Sequence, residues 1–427
     1  MRAKELLEAL HRGAFDAALR GVYGEEPLEG TYRRIESVVR GFCALFDPEE
    51  RRELQVFSAP GRTELGGNHT DHQRGHALAA SVNMDTLGCA ALREDRVIRV
   101  QSKGHSAAQI ELSDLTVHAE ERSRSIALLR GVAARISQLG YTPGGFDAYT
   151  ETRVLRGAGL SSSAAFEILI GTIVNQLFCR GELDAIQLAK IGQYAENVFY
   201  GKPCGLLDQL ACAAGGVIAV DFADPQEPKI RRCTMDAAKA GYALVIIDSG
   251  ANHSDLDAEY ALIPGEMGAV ARFFGKEALN EVDEAEFERR RGEAEAACGL
   301  RPVLRAEHFY AETRRAEEQY EALSAGDFPR FLELVRASGR SSEEKLQNVS
   351  LDRPDGDRLL RVVHRAEELT GETGAARVHG GGFAGTAQAY VPLERLDAFV
   401  AGMEADFGAG CCHLVRVRNT GGVRLIP

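Results

Sequence analysis

The segment GAGLSSSAA, Gly157 to Ala165, constrains this chain more than any other, because it fixes how a long helix must begin. Gly157 and Gly159 allow a sharp backbone turn, three serines follow, and a helical pattern then runs to Phe178. A helix that opens this way offers unbonded N–H groups and the positive end of its dipole, which suits an anion and above all a phosphate. A serine hydroxyl there can also ligate Mg2+. A plain serine cap is the bland alternative, but a cap needs one hydroxyl and three are present. No G-x-x-x-x-G-K-[ST] occurs, so this is not a P-loop.

Composition narrows the setting. At ~150 residues per domain, 427 residues suggest two or three domains. The formal net charge is −13, which argues against nucleic acid or an anionic membrane surface as the main partner. No apolar run approaches the ~18 residues of a membrane span. Nine cysteines, an odd number with no C-x-x-C, read as reduced thiols in a cytoplasmic protein.

Along the chain, residues 1–50 read as amphipathic helix, with Leu6, Leu7, Leu10 and Phe15 at helical spacing. Residues 54–58, 87–92, 97–101, 109–112 and 146–152 read as strands, and 125–139 and 185–197 as helices. The stretch 60–75, rich in Gly, Asn and His, reads as a loop. The Asp- and Pro-rich 221–228 is a composition break that places a domain boundary there. Beyond it come a buried-strand run at 242–247, charged helices over 281–297 and 310–325, a glycine cluster at 380–385 and a strand at 387–391. Strands and helices mix in both halves, so the expectation is an α+β (mixed α/β) chain. Its parts are a helical extension 1–50, a domain 51–225 and a domain 226–427.

Three further segments carry chemistry. Ala59 to Gly75 holds Arg62, Glu64, Asn68, His69, Thr70, Asp71 and His72, a density of donors and acceptors that suits a polyhydroxylated ligand. A metal reading with His69, Asp71, His72 and His76 matches no established ligand spacing, and a structural polar loop is the other alternative. In YGKPCGLLDQLACAAGG, preceded by Glu196, Asp208 lies among Leu206, Leu207, Leu210 and Ala211. An acid in apolar company is capped, paired or functional, and Arg62 is a candidate partner. An aspartate kept ionised in this way can orient or deprotonate a hydroxyl. In VHGGGFAGTAQAY, Gly380, Gly382 and Gly385 fit G-x-G-x-x-G, but a strand rather than a helix follows. The context of a dinucleotide fingerprint is missing, and a glycine loop closing over a nucleotide or phosphate fits better. Together the segments supply what phosphoryl transfer needs, positioning and charge neutralisation.

In this order and at these separations, the four segments resemble the GHMP kinases, and within them the galactokinase branch. The first loop is similar to the family's G-R-V-N-L-I-G-E-H-T-D-Y-N and GAGLSSSAA to its phosphate loop. CGLLDQ at Cys204 to Gln209 is similar to C-G-I-M-D-Q, and GGGFAG to G-G-G-F-G-G. Arg130–Gly131–Val132, HSDLDAEY at 253–260 and GDFPRF at 326–331 are further echoes. The resemblance implies a ribosomal-S5-like N-terminal domain and a ferredoxin-like C-terminal domain with the active site between them. It implies ATP and Mg2+ as cofactors, and transfer of the γ-phosphoryl group to O1 of galactose.

By position, the resemblance implies Asp208 as the catalytic acid and Arg62 as its partner. Ser163 and Glu196 fall at the Mg2+ positions, and Gly157, Ala158, Gly159, Leu160, Ser161, Ser162 and Ser163 around the ATP phosphates. Gly380, Gly381 and Gly382 form the glycine loop, and Asn68, His69, Asp71, Gly205 and Tyr260 fall at the sugar. Some positions depart: the family's Glu is Asn68, its Tyr is His72, and its Val-Asn-Leu-Ile is Thr63, Glu64, Leu65 and Gly66. Asn68 keeps an acceptor but carries no charge and adds donors, which leaves a related sugar such as N-acetylgalactosamine as an alternative to galactose. A non-catalytic sugar and ATP sensor is a second alternative, against which the retention of Asp208, Arg62, Ser163 and Glu196 counts. The expected partners are a small-molecule sugar and ATP, with no nucleic acid and no membrane, and the expected state is a monomer or weak oligomer.

Overall fold

The computed structural model describes residues 1–24, 27–155, 159–251 and 256–427, without the side chain of Asp257. The first seven strands are β1 (Gln55–Gly66), β2 (His76–Leu92), β3 (Val97–Ser102), β4 (Ala108–Glu111), β5 (Phe146–Thr152), β6 (Val217–Asp221) and β7 (Lys229–Cys233). Then come β8 (Tyr242–Asp248), β9 (Ala375–His379), β10 (Thr386–Pro392), β11 (Cys412–Val415) and β12 (Val423–Ile426). The first sheet runs β12-β1-β2-β5-β3-β4, and all its pairings are antiparallel except β3 with β5. The second half of the long β2 pairs with β5, while its first half pairs with β6, which in turn pairs with β7.

Both faces of this sheet are covered. On one lie α1 (Ala3–His11), α2 (Asp16–Tyr23) and α3 (Glu29–Phe46), whose Leu6, Leu19, Val38 and Phe42 pack with Val56, Leu87 and Cys89. On the other lie α4 (Ser125–Gln138), α5 (Ser162–Phe178), α6 (Ala185–Tyr194) and α7 (Leu207–Ala214), with Ile136, Ile168, Ile173 and Leu210 against Phe57, Ala79 and Phe146. A strand buried on both faces has no reason to alternate apolar with polar. This is why β1 runs on to Gly66, through Pro60 to Gly66 where the sequence reads as loop. It is also why the apolar 77–82 and the strand pattern at 87–92 are one strand.

The expected boundary at 221–228 falls inside a hairpin. β6 and β7 pair with Asp221 opposite Lys229, so the Asp- and Pro-rich stretch is turn chemistry rather than a linker. β7 and the C-terminal β12, both beyond residue 225, belong to the first sheet.

The second sheet is antiparallel in the order β11-β8-β10-β9. In chain order it reads strand, helices, strand, strand, helix, strand, the split β-α-β arrangement of ferredoxin-like domains. Helices Arg358–Thr370 and Leu396–Phe407 cover one face through Val362, Val363, Phe399 and Met403. The other face joins the first sheet: Leu65 and Leu78 share a core with Leu244, Ile246, Phe331 and Val335. The expected helix at 281–297 is broken into Glu284–Arg289 and Arg291–Cys298, and that at 310–325 is the end of a longer helix, Leu300–Ala325. Among the described residues no helix is long and apolar enough to cross a membrane.

Candidate active site

The site is assembled around a bulge in β1. The pairing with β2 shifts register between Pro60 and Arg62, and a Cβ on Gly61 would lie 2.7 Å from the Leu160 carbonyl. That bare approach lets the Arg62 N–H donate to Leu160 O at 3.1 Å, stitching β1 to the turn before α5. The guanidinium reaches the first turn of α7. There Nε and Nη2 donate to Asp208 Oδ1 and Oδ2, each at 2.7 Å, a bidentate pair. Arg62 Nη1 also donates to Gly159 O.

The serines do more than cap. Ser161 is the N-cap of α5 yet makes no side-chain cap, and its hydroxyl donates to Asp208 Oδ2. Ser163 donates to Glu196 Oε1 at 3.3 Å. Glu196 sits on the π-helical turn Ala195–Tyr200 that follows α6. Two of the three hydroxyls therefore bond acids from other segments. Ser162 opens α5 half-exposed, and Leu160 is buried. Gly157 and Ala158 lie outside the described residues, as do His253, Ser254 and Asp255 of the HSDLDAEY echo.

Burial works against the charge on Asp208, but the Arg62 guanidinium and the bonds from Arg62 and Ser161 outweigh it and hold the carboxyl below the usual aspartate range. The side chain still keeps 37 % of its surface exposed. Glu196 is the opposite case: burial raises its carboxyl, with Lys202 pulling the other way.

The glycine loop, between β9 and β10, closes the site from the second sheet. Gly159 has φ +64°, and a Cβ on it would lie 2.8 Å from both His379 Nδ1 and Thr386 Oγ1, so the turn and the loop meet with no room for a side chain. Three successive carbonyls of the loop are held by side chains. Gly380 O accepts from Asn68 (2.7 Å), Gly381 O from His69 Nε2 (3.1 Å) and Asn348 (3.2 Å), and Gly382 O from the Tyr260 hydroxyl (3.1 Å). Burial, and then the neighbouring His72, lowers His69 to about 4, so its imidazole is neutral with the proton on Nε2.

Asn68, which the resemblance puts at the sugar, is bonded within the protein. It is fully buried, its amide donates to Gly380 O and to Glu64 Oε1 (3.0 Å), and its oxygen accepts from Asn348 (2.9 Å). Without a charge it can be buried this way. The loop's carboxylate sits instead on Glu64, turned inward onto Arg377. Asp71 and Gly205 are brought together, since a Cβ on Gly205 would collide with the Asp71 carboxylate. His76 turns towards Asp221 (3.5 Å) and Glu317 (3.3 Å), away from the alternative metal set. Among the described residues no group of three or more His, Cys, Asp or Glu is placed to hold a metal ion.

Two residues escaped sequence reasoning: Glu167, and the role of Gln209 beside Asp208. An acid inside the apolar AAFEILIG run was the available signal, the same one that marked Asp208.

Residues 127–216 match the family profile "GHMP kinases N terminal domain", and residues 40–92 match "Galactokinase galactose-binding signature". Among solved structures, the galactokinase of Lactococcus lactis complexed with galactose superposes with a TM-score of 0.78 at 23% identity, over 90% of this chain and 98% of that one. The mevalonate kinase of Methanococcus jannaschii matches with a TM-score of 0.61 at 14% identity, over 86% of this chain and 99% of that one. A D-glycero-D-manno-heptose 1-phosphate kinase from Bacteriodes thetaiotaomicron gives 0.59 at 15%, over 87% and 98%. By these matches, residues 127–216 are similar to the N-terminal domain of GHMP kinases and residues 40–92 to the galactose-binding signature of galactokinases, and the fold is the one seen in the GHMP kinase structures.

Proposed function

We propose that the protein transfers the γ-phosphoryl group of ATP to the anomeric hydroxyl of galactose. The observation that carries this reading is the Arg62–Asp208 pair held against the serine turn Gly159–Ser163. Asp208, kept ionised by Arg62, accepts the hydrogen of the O1 hydroxyl and aims that oxygen at the phosphorus. The turn from Gly159 to Ser163 and the N-terminus of α5 hold the ATP phosphates, with the glycine loop Gly380–Gly382 across from them. His69, Asp71, Gly205 and Tyr260 face the sugar, and Asn68 supports the loop that carries two of them.

The Ser163 hydroxyl and the buried Glu196 carboxylate form an oxygen donor set of the kind Mg2+ takes, and a cation there would offset the cost of burying Glu196. When bound, Mg2+ supplies charge neutralisation on the phosphates. All nine cysteines are unpaired, which supports a reducing, cytoplasmic setting.

The test is a panel of free sugars differing at C2 and C6, with ATP and Mg2+, and 31P NMR to locate the new phosphate. The expected product is galactose 1-phosphate. Preferential turnover of N-acetylgalactosamine would move the assignment to that sugar, and binding of sugar and ATP without any product would replace the enzyme with a sensor. Gly205→Ala tests the sugar side separately. The added methyl displaces the Asp71 carboxylate, so the KM for galactose should rise about tenfold, the equivalent of ~1.4 kcal/mol. The KM for ATP should stay as it was, and steady-state kinetics on both substrates checks this.

A further inference from the structure

Behind Asp208 and Glu196 lies an enclosed layer that the reaction above does not use. Glu167, four residues beyond Ser163 on α5, is 1% exposed, and Gln209 is not exposed at all. The Gln209 amide nitrogen faces two acids, Glu196 Oε2 at 2.9 Å and Glu167 Oε2 at 3.1 Å, with Cys204 Sγ further off at 3.6 Å. Glu196 is thereby held at both oxygens, by Gln209 at Oε2 and by Ser163 at Oε1. Helix α6 seals the layer with Gly192, where a Cβ would lie 3.0 Å from Glu167 Oε2 and 3.1 Å from Gln209 Cγ. Among the described residues, Glu167 Oε1 and Gln209 Oε1 have no hydrogen-bond partner. Buried polar atoms in that state cost stability, so the layer is not explained by stability alone.

An amide held at one point can rotate. One held by acids on two different segments, α5 and the turn after α6, is fixed in orientation. Without Glu167, the Gln209 amide keeps only its bond to Glu196 and can swing with it, so the direction of that carboxylate is no longer fixed.

We propose that Glu167 and Gln209 are positioning residues: Glu167 locks the Gln209 amide, and that amide presents the Glu196 carboxylate to the Mg2+ that accompanies ATP. The proposal rests on the reading of Ser163 and Glu196 as the Mg2+ positions. Groups that orient a metal ligand from behind weaken binding by about 10- to 100-fold when removed. Burial, then the charge of Glu196, raises the Glu167 carboxyl well above its ordinary range. Glutamine has the same shape and keeps an oxygen toward the Gln209 amide, so it serves in its place.

Mn2+ is the probe, its binding to the protein with a non-hydrolysable ATP analogue followed by EPR, alongside the Mg2+ dependence and sugar KM of turnover. The variants are Glu167→Ala, Gln209→Leu and Glu167→Gln, with Glu196→Ala as reference. Glu167→Ala and Gln209→Leu should weaken Mn2+ binding by about 10- to 100-fold and raise half-saturating Mg2+ to match, with the sugar KM unchanged. Glu167→Gln should restore most of the binding, because its amide oxygen still accepts from Gln209. If Glu196→Ala weakens Mn2+ binding while Glu167→Ala and Gln209→Leu bind like wild type, the positioning role is wrong and the metal reading stands. If Glu196→Ala binds Mn2+ like wild type, the metal reading itself is wrong. Loss of sugar and Mn2+ affinity together, or a Glu167→Gln as poor as Glu167→Ala, overturns the proposal in favour of a general structural role.

Discussion

Asp208→Asn should leave a folded protein that binds ATP normally and turns over about 10²- to 10⁴-fold more slowly, the range that a positioned proton acceptor contributes. The substitution keeps the shape of the side chain and removes its charge. Arg62 would then face an amide that can offer it only one acceptor oxygen, where it now makes two bonds of 2.7 Å. Nucleotide affinity is the control, because the phosphate-facing backbone of the serine turn does not depend on that charge. A variant with near-normal kcat would remove Asp208 from the chemistry. The pH dependence gives a second reading of the same pair. Burial alone would raise the Asp208 carboxyl, and Arg62 reverses the sign. The acid limb of kcat/KM that belongs to Asp208 should therefore lie below the ordinary aspartate value of about 3.9. Arg62→Met leaves the burial and removes the compensation, so that limb should move up in pH while kcat falls.

The pairing of Arg62 with Asp208 was readable in the sequence because each residue is anomalous where it stands. An aspartate among Leu206, Leu207 and Leu210 needs a partner, and an arginine in a Gly-rich loop is free to be one. The serine turn was readable because helix starts are local events. What escaped had non-local causes. Nothing near Val423 says that this strand returns some 360 residues to lie beside Phe57, and nothing in the hairpin at 221–228 separates a turn from a linker. The partners of Asn68 were hidden for a related reason. Its type says what it can bond, but the bonds are made with Glu64, Gly380 and Asn348, two of them about 300 residues away. Glu167 had a signal, an acid on an apolar helix, but only the arrival of Gln209 from α7 gives that acid a task.

The role of the first fifty residues rests on Asp85, and Asp85→Ala should destabilise the whole chain by about 3–5 kcal/mol, the usual result of breaking a buried ion pair from one side. Asp85 is fully buried opposite Pro60, at the edge of the bulge that presents Arg62. Its carboxylate takes Arg34 from α3 at 2.7 Å and Arg418 from near the C-terminus at 3.1 Å, and it accepts from the Tyr23 hydroxyl at 2.6 Å and the Ser58 hydroxyl at 2.5 Å. The N-terminal helices, the central sheet and the chain's end thus meet on one charge. Removing it strands two buried guanidinium groups, and Arg34 and Arg418 cannot shed their charge to escape. The pH dependence follows. Burial raises the Asp85 carboxyl, but Arg34 and Arg418 bring it below its unfolded value. Its contribution is therefore complete above the ordinary aspartate range and is lost as pH falls through the folded value. Urea unfolding as a function of pH should show that loss in the wild type and not in Asp85→Ala. The triple variant Arg34→Met, Asp85→Leu, Arg418→Met separates the two causes of instability. If stranded charge is the cause, it recovers much of the stability, since apolar replacement of a whole buried cluster is often neutral. If the Tyr23 and Ser58 bonds matter more, the triple variant stays as unstable as the single one.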